Sequence, residues 1–276
     1  MPKISGNYLD IYQFPLSDID TIEDLKNYKW PSPYYSFDKI EEKIDKWDEG
    51  KNKKALVYVN MECGIFEFGL RLRGFENFLI DVYSNSKYAC YLMDRILELK
   101  MKSWKKAIEK FGKNIAIIFE GDDLGSQDRP FLSVEIYKKY IKPRHKKLFD
   151  FIRKISKKNI YILFHACGAV YSFIPELIDI GVDILNPVQV SAAGMDTKKL
   201  KMEFGNDITF WGGGVDTQYT LPRGSIKEVR EEVKKRIEDL APGGGFIFAP
   251  VHNVQPDVPI ENLVTMLETL KEYGIY

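Results

Sequence analysis

The sequence predicts an α/β fold: a parallel (β/α) TIM-type barrel, incomplete, with about six main strands where a full barrel has eight. Three observations carry this. Short β-branched runs are apolar on both faces, as in strands covered by helices. Helical patterns separate them, the rhythm of a parallel sheet. No Gly-x-Gly-x-x-Gly or Walker loop follows the first strand, which disfavours the open nucleotide-binding sheet.

The elements follow in order. Residues Ser5 to about Tyr35 have no sustained period and mix aromatics with Pro15, Pro31 and Pro33, so residues 1–35 are expected to form an N-terminal arm or cap. Residues 36–276 form the barrel domain. A helix is expected over Phe37–Trp47, a strand at Ala55–Val59, a long helix from about Lys87 to Phe111, and a strand at Ile115–Phe119. The helical stretch Val134–Lys157 contains Pro143, which should kink or split it. Then come a strand at Ile160–Phe164, a helix Tyr171–Ile180 stopped by Gly181, and a strand at Val182–Leu185. A short helix spans Thr197–Phe204 and a strand Ile208–Trp211. Ser225 and Glu228 form a capping box opening a helix to Leu240. Phe246–Ala249 is the last strand, and Pro259 suits the first turn of the last helix.

The 276 residues are 45% apolar and 29% charged with zero formal net charge, which gives no reason to expect a nucleic-acid or membrane partner. Cys63, Cys90 and Cys167 are odd in number and widely spaced, so no disulfide framework is expected. The first residues lack the apolar core of a signal peptide, and the expected location is the cytoplasm.

Barrel enzymes carry their chemistry on the loops after the strands. Those loops hold Asn60, Glu62 and Cys63; Glu120, Asp122 and Asp123; His165, Cys167 and Gly168; Asn186 and Gln189; Gly212–Gly214, Asp216 and Gln218; and His252 and Asn253. On an extended segment His165 and Cys167 point to one side and can share an ion such as zinc. His252 is the expected third ligand, with Asp122, Glu120 or Cys63 as additions. Asp122, Asp123, Gln189 and Asp216 are candidate catalytic groups, and Gly213, Gly214 and Asn253 candidate cofactor-binding positions. Bland readings compete with these: a buried cysteine beside a hydrogen-bonding histidine, aspartates that cap or brace a loop, glycines that allow a turn. Arg71 and Arg73 are a further pair, for a carboxylated substrate or for surface pairing.

The segments Phe164-His165-Ala166-Cys167-Gly168, Ile174 to Gln189, Gly213-Gly214-Val215-Asp216-Thr217-Gln218, Gly121 to Gln127 and His252 to Asn262 together resemble the uroporphyrinogen decarboxylase superfamily. The likeness runs from about Tyr8 to the C-terminus. The His-x-Cys-Gly element resembles the zinc-dependent, corrinoid-linked methyltransferase branch. This implies a methyl group moved between a small donor or acceptor and a corrinoid, with zinc as Lewis acid and a corrinoid protein as partner. In that branch the third zinc ligand is typically a cysteine on the last loop, where this chain has His252. The resemblance also implies that the family's N-terminal portion, with its first two strands and an arginine and an aspartate, is lacking. The open edges are then expected to be covered by the aromatic-rich arm (Tyr8, Tyr12, Phe14, Tyr28 and Trp30), by a second copy in a homodimer, or by a separate chain supplying the missing strands. Two alternatives stand beside this: a uroporphyrinogen decarboxylase, and a non-catalytic tetrapyrrole- or metal-binding short form.

Overall fold

Six parallel strands lie side by side in sequence order: β3 (Leu56–Val59), β4 (Ile115–Gly121), β5 (Tyr161–His165), β6 (Ile184–Asn186), β7 (Thr209–Trp211) and β8 (Phe246–Ile247). Each pairs with its predecessor, with no reversal of order. That is barrel topology; a doubly wound sheet would reverse direction part-way. The computed structural model describes residues 3–5, 8–11, 13–31, 43, 56–59, 63–156 and 159–274. The helix expected over Phe37–Trp47 lies, apart from Lys43, outside the described residues, as do Asn60 and Glu62. Among the described residues β3 and β8 are the edges of this sheet.

Side chains alternate across the strands. Ile118, Ile162, Phe164, Leu185 and Phe210 face outward into the large core shared with the helices. Ile117, Leu163 and Ile184 face inward as a small second cluster, with Phe119 and Trp211 packed on it. The same alternation sends His165 and Asn186 inward at the C-terminal ends, where they are neighbours in register. It sends Glu120 outward. Glu120 is buried beneath the long helix Ser86–Phe111, in an ion pair with Lys100 at 2.9 Å and accepting from Trp104 Nε1. It is therefore no metal-ligand candidate, and burial pushes its pKa up.

Two local outcomes, the helices before the long one and the regular pieces of the arm, differ from the sequence reading, and the break at Pro143 follows it. Two helices, Ile65–Arg73 and Phe75–Ser84, precede the long one; they fill a stretch to which the apolar pattern assigned nothing. Pro143 does split its helix: Val134–Ile136 passes through a π turn at Tyr137–Ile141 before Lys142–Ile155 begins, with the proline in its first turn. The N-terminal arm is partly regular, with an antiparallel pair, β1 (Lys3–Ser5) and β2 (Tyr8–Asp10), and a helix Ile22–Asn27. Arg73 pins this arm: it donates to Leu16 O, Ser17 O and Asp20, and also to Asp81. The Ser225–Glu228 capping box forms as expected and opens the helix Ile226–Leu240. No helix of the described residues is long and apolar enough to cross a membrane.

Candidate metal centre

The strand ends bring Asp123, His165 and Cys167 together, with one donor atom from each within 4.8 Å of the others. Cys167 Sγ lies 3.3 Å from His165 Nε2, and Asp123 Oδ1 lies 4.0 Å from the same nitrogen. Asp123 Oδ1 also accepts the Cys167 amide at 2.9 Å, so a loop from β4 braces the loop from β5.

The histidine is oriented from behind. Asn186 Nδ2 donates to Trp211 O at 2.9 Å, which turns Asn186 Oδ1 toward His165 Nδ1 at 2.6 Å. An amide oxygen can only accept, so Nδ1 carries the proton and Nε2 presents a lone pair. Phe119 stacks on the imidazole at 5.6 Å between centroids. The backbone makes room for the ring: a Cβ on Gly121 would stand 2.8 Å from His165 Cβ.

Charge at the site is lopsided. Burial first, then the carboxylates of Asp123 and Glu67, push the Cys167 thiol far above its ordinary range. Burial and then Glu67 push Cys63 up to about 12. Glu67 is itself raised, by burial and then by Asp123 and Asp122. Acidic groups crowd a soft donor, an arrangement that a cation would relieve.

A family model described as uroporphyrinogen decarboxylase (URO-D) matches residues 16–273. The chain belongs to the uroporphyrinogen decarboxylase family. Among solved structures, a methyltransferase from Methanosarcina mazei superposes with a TM-score of 0.65 at 20% identity, over 84% of this chain and 63% of that one. The chain thus spans about 63% of that protein's length, and the likeness establishes the fold. No curated protein matches the sequence significantly.

The other expected site residues of this family member are placed as follows. Asp122 is fully buried and braces the frame. Its carboxylate accepts the amides of Phe66 at 2.8 Å and Glu67 at 2.6 Å, capping the Ile65–Arg73 helix, and meets His145 Nε2 at 2.9 Å. Gln189 accepts from Gly168 N at 2.8 Å and donates to Gln127, fixing the turn after Cys167. Asp216 caps its own turn, accepting from the amides of Gln218 and Tyr219. Gly213 lies against Val188, and Gly214 against Phe248. Asn253 is exposed. His252 stands outside the Asp123–His165–Cys167 group, yet near enough that His165 helps burial hold its pKa below the usual value. The sequence reading named Asp123 for catalysis and did not group it with His165 and Cys167. The signal available was its place in register, two residues beyond Gly121, the strand end beside His165.

Proposed function

We propose that this chain is a methyltransferase-like enzyme, moving a methyl group between a small substrate and a corrinoid carried by a partner protein. Zinc would be held by Asp123, His165 and Cys167, with residues 36–276 as the catalytic domain and 1–35 as its arm. The supporting observation is the convergence of those three donors, one nitrogen, one sulfur and one oxygen, within 4.8 Å. Such a set fits zinc, and three protein ligands leave a fourth position for substrate, the mark of a catalytic site.

When bound, zinc supplies a Lewis acid that holds a substrate heteroatom and, for a thiol, favours the thiolate. The chain's own groups do the rest. Asn186 keeps the His165 proton on Nδ1, so Nε2 stays a donor. The Asp123 brace on the Cys167 amide fixes the distance between the two loops. His252, whose pKa burial and then His165 hold below the usual value, offers a proton acceptor or a replacement ligand. The groups gathered here are acidic or neutral, and Arg71 is paired to Glu67. A porphyrinogen with several carboxylates calls for a cationic floor, so the methyltransferase reading is preferred to the decarboxylase one.

The test has two parts. Metal analysis of the purified protein should give one zinc per chain, with loss of zinc in Cys167→Ser. The zinc-loaded protein should then accelerate demethylation of methylcobalamin by a small thiol, followed by absorbance. Absence of bound metal, or the same demethylation rate with metal-stripped protein, would overturn the proposal.

A further inference from the structure

We infer that a groove on the outer side of the long helix Ser86–Phe111 is a second binding site, for a small molecule that joins a flat ring to a chain of phosphates, the chemistry of a nucleoside triphosphate. The site is separate from the metal centre and stands independently of that reading.

The groove has a volume of about 470 Å³. That is inside the range of roughly 300–1,000 Å³ that holds small molecules. Arg95, Leu99, Lys102 and Lys106 recur at i, i+4, i+7 and i+11, so they share one face of the helix, and they line the groove. Leu99, 9% exposed, is its apolar floor. Lys100 and Trp104 are turned away from this face and are fully buried. The opposite wall is Trp30, from the N-terminal arm. Its ring is held in place from three sides. Nε1 donates to Leu25 O at 3.1 Å, Tyr28 meets the ring edge to face at 5.2 Å, and Arg95 lies over it at 5.8 Å from the centroid. One wall is therefore an aromatic plane and the other a row of cations.

The cations are concentrated here against the trend of the chain. Formal net charge is zero overall, yet Arg95, Lys102, Lys105 and Lys106 line the groove against Glu109. Exposed lysines of other helices meet an acid one turn on, as in Lys146–Asp150, Lys227–Glu231 and Lys234–Glu238. One turn on from Lys102 stands Lys106, and Lys105 is three residues away, like-charge pairings that cost a helix stability. Glu98 is already taken by Arg95 at 2.6 Å. Among the described residues Lys102 forms no ion pair, and Lys105 reaches Glu109 only at 3.9 Å. Phosphate oxygens along this row offset the repulsion, and a ring against Trp30 and Leu99 is shielded from water.

Isothermal titration calorimetry of the full chain in magnesium-free buffer, with ATP, tripolyphosphate and adenosine, is the test. ATP should bind at least about tenfold more tightly than either fragment. Lys102→Glu combined with Lys105→Glu, both exposed helix positions, should lower ATP affinity about tenfold or more, with circular dichroism and zinc content as in wild-type. Lys147→Glu combined with Lys198→Glu, exposed lysines outside the groove, should leave ATP binding unchanged. Trp30→Ala should bring ATP down to the level of tripolyphosphate, and Trp30→Phe should keep part of the difference. Absence of ATP binding, indifference to the Lys102 and Lys105 changes, or equal losses in both lysine pairs would overturn the site. Equal affinity of wild-type for ATP and tripolyphosphate would overturn the ring-and-phosphate assignment.

Discussion

Replacing Asn186 by alanine removes the two bonds that set the His165 tautomer. One is the 2.6 Å contact from Asn186 Oδ1 to Nδ1; the other is the 2.9 Å bond to Trp211 O that aims the amide. Losing two bonds at a partly buried site costs about 1–3 kcal/mol of folding stability, which a fold of this size survives. The larger effect falls on the metal. Without an acceptor at Nδ1 the proton is free to shift to Nε2, and the ring is free to turn about its bond. Loss of such an outer partner costs about 10–100-fold in metal affinity. The assay is competition for zinc against a chromophoric chelator, with circular dichroism as the folding control. Asn186→Asp, which keeps an acceptor for Nδ1, should lose less. A folded Asn186→Ala protein whose zinc affinity is within about twofold of wild-type would refute the reasoning.

Three further outcomes are expected. Asp122→Ala strips the cap from two helix amides and leaves His145 facing an empty acceptor position, so it should lower the unfolding free energy by about 3 kcal/mol or more in denaturant titrations; a loss below 1 kcal/mol would show that the helix start does not depend on it. Lys100→Met leaves Glu120 buried and charged, and should cost about 3–5 kcal/mol, whereas Lys100→Met combined with Glu120→Gln should cost less than the sum of the two single changes; additivity would mean the pair is not coupled. Glu67 has a folded-state pKa raised by burial and then by Asp123 and Asp122, so its contribution is present below the ordinary carboxylate range and is lost as pH rises through the raised value. Melting temperatures against pH should therefore shift in favour of Glu67→Gln, relative to wild-type, as pH climbs above that range; a constant difference would contradict the shift.

How much of this was legible in the sequence depends on the kind of signal. The strands from Ile115 to Ile247 were legible because β-branched runs buried on both faces have few other uses. The helices Ile65–Arg73 and Phe75–Ser84 were not assigned: Gly64 and Gly74 interrupt the chain there, and Arg71 and Arg73 interrupt the apolar period. The pair His165 and Cys167 was visible from their separation of two on a strand end. Their partner was not, because it depends on a register between strands far apart in sequence, Gly121 opposite His165, which carries Asp123 inward and Asp122 under the helix start. Likewise Glu120 was grouped with the strand-end carboxylates, and only the alternation along β4 turns it toward Lys100. Nothing in local composition separates a carboxylate that caps a helix from one that faces the mouth.

X-ray absorption at the zinc edge of the metal-loaded protein tests the central claim most directly. A single sulfur at about 2.3 Å with nitrogen and oxygen scatterers near 2.0–2.2 Å is expected, with the sulfur shell lost in Cys167→Ala and a nitrogen or oxygen scatterer lost in Asp123→Ala. A zinc shell without sulfur, or one unchanged by either substitution, would contradict the metal centre built from Asp123, His165 and Cys167.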